Sequence, residues 1–159
     1  MNKKDTVVFD LDGTLLDTLE DLKNSVNYAM TQCGYPEHTL DEVRRYVGNG
    51  ILLLMQRAIP GGKDDPNFDK AFTLFKEHYG KHCNDTTKSY AGIMELLHTL
   101  KENNIKIAIV SNKADFAVKE LNAIYFKDLI PVAIGEKESE GIRKKPAPDT
   151  VIEALKQLG

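Results

Sequence analysis

Apolar residues along this chain change their spacing twice. Residues 6–9, Thr-Val-Val-Phe, are β-branched and aromatic and run straight into Asp-Leu-Asp-Gly, the pattern of a buried strand that stops at a turn. From Leu15 the step lengthens. Leu15, Leu19, Leu22, Val26 and Met30 recur every three or four positions, which predicts a helix. Asp17 with Glu20 three residues on makes a capping-box-like start, and Gly34-Tyr35-Pro36 ends the helix. Two shorter helices are predicted over 40–46 and 51–58, separated by Gly48-Asn49-Gly50. Pro60-Gly61-Gly62 breaks the chain, and 68–82 forms an amphipathic helix with Phe72, Phe75 and Tyr79 on one face. No strand pattern appears between Leu15 and Asn84.

After Tyr90 the rhythm alternates. Helices are predicted over 93–103, 114–124 and 148–158, and strands over 105–110 and 131–134. A polar loop rich in Glu and Lys precedes the last helix. Strands alternating with helices predict the α/β class, with a parallel sheet covered on both faces. The all-helical stretch then reads as an insertion. Residues 1–14 and 85–159 form the α/β core, and 15–84 form a separate helical part.

Composition narrows the function classes. The chain has 159 residues, of which 42% are hydrophobic and 28% charged, as in an ordinary soluble domain with a real core. A net charge of -3 gives no footprint for a nucleic-acid partner. No apolar run is long enough to span a bilayer, and Val7 to Phe9 is too short for a signal-peptide core, so no membrane association and a cytoplasmic location are expected. Cys33 and Cys83 lie far apart and are expected to be free thiols.

Open α/β sheets place their chemistry at the carboxyl ends of their strands. Three such ends are visible: Asp10 and Asp12 after the first strand, Ser111 after the second, and a loop carrying Lys145 after the third. Asp10 and Asp12 are two apart, so both acids can face one site while Leu11 points away. Two carboxylates so close repel, and a divalent cation relieves that repulsion while binding phosphate oxygens. Gly13 permits an unusual turn that leaves amide groups free for an anion. The competing reading is an Asp-Gly turn with solvated acids. Elsewhere, Asp17 reads as a helix cap, and Arg45 and Asn49 as a helix-end arginine and a turn residue. His78 and His82, with Cys83 adjacent, have the i, i+4 spacing that can hold a transition metal, but Gly80 and the helix end argue against it.

The string Val8-Phe9-Asp10-Leu11-Asp12-Gly13-Thr14-Leu15-Leu16-Asp17-Thr18 resembles the first motif of the haloacid dehalogenase superfamily. Val110-Ser111-Asn112-Lys113 resembles the second motif, and Lys144-Lys145-Pro146-Ala147-Pro148-Asp149 the third. Order and intervals agree from Thr6 to the last residue. The helical part is similar to the cap of phosphoglycolate phosphatases, most closely over residues 42–50, with Tyr90-Ala91-Gly92-Ile93 as a weaker match. The resemblance implies a Rossmann-like core with an inserted helical cap. It implies Mg2+-dependent phosphomonoester hydrolysis on a small phosphorylated metabolite, 2-phosphoglycolate. In that chemistry Asp10 attacks phosphorus, forming an aspartyl-phosphate. Asp12 serves as general acid and then base. Magnesium is held by the Asp10 carboxylate and the Asp12 backbone carbonyl. Ser111 and Lys145 bind the phosphoryl group, and Asn112, with Lys113 beside it, is a candidate for substrate contact.

The superfamily also has a fourth motif, an acidic pair at another strand end that completes the metal site. In relatives it follows soon after the helix corresponding to 150–158, and no acidic strand end remains here to supply it. A truncated chain is therefore expected, with little activity alone. Its first strand would present an apolar edge through which association is possible. Rival readings are a pyrophosphatase or sugar phosphatase on the same core, and a non-catalytic interaction fragment. A phosphoglucomutase fits less well because Thr14-Leu15 continues the motif as phosphatases do. A dehalogenase would have no use for Asp12.

Overall fold

The computed structural model describes residues 5–159; residues 1–4, assigned above to the α/β core, lie outside the described residues. The elements in order are β1 (Thr6–Phe9), β2 (Leu16–Asp17), α1 (Leu19–Gln32), α2 (Leu40–Tyr46), α3 (Ile51–Ala58), α4 (Phe68–His82), β3 (Lys88–Ser89), α5 (Ile93–Glu102), β4 (Lys106–Ala114), α6 (Asp115–Tyr125), β5 (Val132–Glu136) and α7 (Asp149–Leu158). Single 3-10 turns lie at Gly62–Asp64 and Glu138–Glu140. The chain divides into two compact units. One comprises the chain through Leu16 together with Ser89–Gly159, and the other is Asp17–Lys88. The two short strands β2 and β3, at the passages between units, pair as a sheet of their own.

In the first unit, β1, β4 and β5 form a sheet in the order β1-β4-β5, with both pairings parallel. Thr6 stands opposite Lys106 and Phe9 opposite Ile109, while Ala108 stands opposite Val132. The central strand β4 explains the two-sided core. Ile107 and Ile109 point to one face, where they pack with Leu11, Leu15, Leu97, Val118, Leu121, Phe126 and Ile130. Ala108 and Val110 point to the other, where they meet Val132, Ile134 and Ala154. Period-two alternation in a strand apolar on both faces needs helices on both sides, and α5 and α6 supply one layer and α7 the other. This is the α/β class with a parallel sheet. Among the described residues β1 is an edge strand of four residues.

The second unit is all helical apart from its ends. Helix α1 packs on α4, burying Leu22, Val26, Ala29 and Met30 from one and Phe68, Ala71, Phe75 and Tyr79 from the other. The apolar face of α4 therefore runs through Ala71, while the partly buried Phe72 stacks on Phe68 and carries Lys76 over its ring. Thr39 and Glu42 close a capping box on α2. Asp21, 2% exposed on α1, accepts from the backbone N–H and the hydroxyl of both Thr86 and Thr87 at 2.7–3.0 Å. A buried carboxylate is tolerable only when its lone pairs are filled in this way.

Several boundaries differ from the sequence expectation. The helix expected from Leu15 begins at Leu19, because the amides of Leu15 and Leu16 fold back onto the Leu11 carbonyl and both side chains enter the sheet core. No capping box forms there. Thr18 is the N-cap, Asp17 accepts only a long 3.4 Å bond from the Leu19 amide, and Glu20 pairs with Lys23 instead. Strand β4 runs on to Ala114, through a register shift between Val110 and Ala114. Neither Cys33 nor Cys83 forms a disulfide. No helix among the described residues is long and apolar enough to cross a membrane.

Two substitutions test this packing. A Cβ on Gly135 of β5 would lie 2.4 Å from the Asp115 Cα, a backbone contact that cannot rotate away. Gly135→Ala should cost about 1–3 kcal/mol, read as a lowered urea midpoint. Asp21→Ala removes the acceptor of the Thr86 and Thr87 amides and should destabilise the helical unit by about 2 kcal/mol or more, read by thermal unfolding of the same chain.

Candidate active site

The turn after β1 is made by Gly13, whose φ of +75° suits a residue without a side chain. The amides after Asp10 close the turn internally. Leu11 donates to the Asp10 Oδ1 at 2.9 Å, Gly13 to the Leu16 carbonyl at 2.9 Å, and Thr14 to the Leu11 carbonyl at 3.2 Å. The expectation that Gly13 frees a set of amides for an anion therefore does not hold at these positions. What the turn does is fix the directions of two carboxylates.

Each carboxylate faces its own lysine. Lys145 Nζ lies 3.0 Å from Asp10 Oδ1, and Lys113 Nζ lies 2.7 Å from Asp12 Oδ1. Ser111 Oγ reaches the other Asp12 oxygen, Oδ2, at 3.4 Å and accepts from the Lys113 amide at 3.1 Å. Ser111 and Lys113 share a side because β4 continues past Val110 and its side chains alternate. The Lys113 side chain is only 3% exposed, whereas that of Asp10 is 45% exposed. Of the two carboxylates, that of Asp10 is the more open to solvent.

Lys145 comes from the loop between β5 and α7, and a second set of contacts holds it. Its Nζ donates to the Val110 carbonyl at 2.9 Å. The Asn112 side chain clasps its main chain, accepting from the Lys145 amide at 2.9 Å and donating to the Lys145 carbonyl at 3.1 Å. The structure thus gathers Asp10, Asp12, Ser111, Asn112 and Lys145 at one end of the sheet. It places the Asn112 amide on the Lys145 backbone, where it steers a neighbour. Lys113 is the residue whose part the sequence left undecided. The alternation Ser-Asn-Lys at a strand end was the signal that Ser111 and Lys113 act on one side.

The site offers hard oxygen donors, two carboxylates at the carboxyl end of a parallel strand, and these suit Mg2+. Among the described residues no group of three or more Asp, Glu, His or Cys side chains gathers to hold a metal ion, so protein ligation here is sparse. Chemically, the arrangement presents an exposed carboxylate beside a cation, and a second carboxylate with a hydroxyl and a cation. That set can attack an electrophilic centre, move a proton and balance an anion.

Comparison with known proteins is consistent with this geometry. A phosphoglycolate phosphatase of Nitrosospira multiformis is 32% identical over 157 residues, covering 96% of this chain and 68% of that protein. A phosphoglycolate phosphatase of Aquifex aeolicus is also 32% identical, covering 96% and 70%. A solved structure from Lactobacillus delbrueckii subsp. bulgaricus, described as a candidate phosphoglycolate phosphatase, superposes with a TM-score of 0.90 at 33% identity, covering 99% of this chain and 74% of that one. The profile of the haloacid dehalogenase-like hydrolases matches residues 7–159. The chain belongs to the haloacid dehalogenase-like hydrolase family.

Proposed function

We propose that this chain carries the site of a Mg2+-dependent phosphomonoester hydrolase that acts through an aspartyl-phosphate, with 2-phosphoglycolate as substrate. The observation that carries the reading is the pairing of two acids with two lysines at one strand end: Asp10 with Lys145, and Asp12 with Lys113. An Asp10 carboxylate oxygen attacks phosphorus as the phosphorus–alkoxide bond breaks, and Asp12 gives its proton to the leaving oxygen. Water then attacks the aspartyl-phosphate, Asp12 takes the proton back, and inorganic phosphate leaves with Asp10 restored. Dividing one displacement into two lets a single carboxylate serve as acid and base in turn.

Lys145 holds charge beside the phosphoryl oxygens, and Ser111 donates a hydrogen bond to the same group. Asn112 keeps Lys145 in place through its main chain. Lys113 keeps Asp12 directed at the site. Asp10 and the Asp12 backbone carbonyl would hold Mg2+, which supplies a positive charge against the anionic substrate. With two protein groups as its ligands, the ion would draw most of its shell from substrate and water. The preference for 2-phosphoglycolate rests on the names of the relatives and on the cap phrase 42–50. A location in the cytoplasm accords with a small phosphorylated acid as substrate.

Turnover of a generic aryl phosphate by the pure protein should require Mg2+ and be lost when a chelator removes it. Turnover unchanged by chelation would contradict the metal site. Whatever turnover is present should vanish in Asp10→Asn. In Lys113→Met it should fall by about a hundredfold, the scale set by a misplaced acid–base group. In a panel of phosphomonoesters and pyrophosphate, 2-phosphoglycolate should give the highest kcat/KM; a preference for pyrophosphate or a sugar phosphate would transfer the site to one of those substrates.

A further inference from the structure

The ladder between β4 and β5 is uneven, and the extra residues are those of the site. Val110 stands opposite Ile134 and Ala114 opposite Glu136, so Ser111, Asn112 and Lys113 on β4 face the single residue Gly135 on β5. Extra residues on one strand make a bulge, which bends the strand, re-aims its side chains and takes amides out of the ladder. Buried amides then need other acceptors. The Lys113 amide donates to the Ser111 Oγ at 3.1 Å, and the Gly135 amide donates to the Asp115 Oδ1 at 2.9 Å.

The second of these bonds ties β5 to the chain just beyond the bulge. Asp115 is the first residue of α6 and follows directly on the end of β4 at Ala114. Gly135 is buried, and it fits only because it has no side chain. A Cβ there would meet both the Asp115 backbone nitrogen and the Lys113 carbonyl oxygen at 2.6 Å. Gly135 is thus wedged between the main chain of Lys113 and the start of α6, with its amide held by the Asp115 carboxylate. Two residues before that clamp, the buried Lys113 side chain reaches Asp12 Oδ1 at 2.7 Å. The other Asp115 oxygen, Oδ2, pairs with the exposed Lys119 one turn along α6, and an open pair of this kind contributes little.

We propose, resting on the phosphatase reading of Asp10 and Asp12, that Asp115 is a positioning residue of this site: by accepting the Gly135 amide it fixes the bulge that directs Lys113 at Asp12. Asp115 acts through the main chain, in two steps, from its carboxylate to Gly135 and from the wedged Gly135 to Lys113. An acid in the first turn of a helix also favours the helix through its charge alone. That ordinary role needs no particular aim, whereas positioning needs an acceptor oxygen directed at the Gly135 amide. With the acceptor removed, a buried amide is stranded, and the strand or the bulge must move to satisfy it. Lys113 moves with the bulge, and Asp12 loses the contact that sets its direction. Misplacement of a reacting group by about 1 Å is enough to slow a reaction on the order of a hundredfold.

The test compares Asp115→Ala, Asp115→Asn and Lys119→Ala with the wild type in two readouts. One is the heteronuclear NMR signal of the Lys113 ammonium group, identified by its loss in Lys113→Met; a buried, ion-paired ammonium exchanges slowly enough with water to be seen. The other is Mg2+-dependent turnover of an aryl phosphate. Asp115→Ala should keep the sheet amide signals of the folded chain, lose the Lys113 signal to exchange broadening and turn over roughly tenfold more slowly. Asp115→Asn keeps an acceptor oxygen without the charge and should restore both readouts, and Lys119→Ala should match the wild type. A Lys113 signal unchanged in Asp115→Ala, its loss in a folded Asp115→Asn, or its loss in Lys119→Ala would overturn the positioning role. A wild type without turnover whose Lys113 signal still responds as described would overturn the phosphatase reading and support the clamp.

Discussion

Two carboxylates held two residues apart at the end of β1 repel each other, and the rest of the sheet unit is arranged around that repulsion. Lys145 at 3.0 Å from Asp10 and Lys113 at 2.7 Å from Asp12 offset it. At these distances opposite charges near a protein surface attract by several kcal/mol before desolvation is counted. Neither lysine is delivered by β1 itself. Lys113 depends on β4 extending past Val110 beside β1, and Lys145 depends on a loop tied to Asn112. The parallel sheet is therefore what turns three distant segments of sequence into one site.

In the proposed reaction, the difference in exposure between the two acids would divide their work. Asp10 stands open to solvent beside a cation that is itself anchored to the Val110 carbonyl. Asp12 is more enclosed, between a buried lysine and a hydroxyl. An attacking group must be reachable, and a proton carrier must be held at a fixed orientation. On that proposal the same residue type would take two roles through its surroundings alone.

Much of this was legible in the sequence, and the remainder was hidden for physical reasons. The β-branched and aromatic run of residues 6–9 and the apolar run of 105–110 marked two of the strands, because burial on a sheet leaves a pattern that reads locally. The start of α1 was misplaced because Leu15 keeps helical spacing with Leu19 while serving the sheet core, and spacing does not say which core a leucine joins. The capping box at Asp17 and Glu20 failed because Glu20 found a better partner in Lys23. Asn112 and Lys113 were ambiguous because their parts depend on Lys145 and Asp12, about 30 and 100 residues away, and no local pattern records that pairing. The His78–His82 pair was visible as spacing, but its partners, Tyr28 and Ser25 on α1 and Asp85 after α4, lie outside that local pattern.

The central claim is that the Asp10 carboxylate, and no other group, carries the phosphoryl group. An aspartyl-phosphate is reduced by borohydride to homoserine, which marks the residue that held it. The chain should be mixed with Mg2+ and a reactive small phosphoryl donor, quenched in acid, reduced, and digested for peptide mass spectrometry. The account predicts conversion of Asp10 to homoserine, and an unmodified Asp12 in the same peptide. Modification at Asp12 or at another residue, or phosphate release with no residue modified, would contradict it.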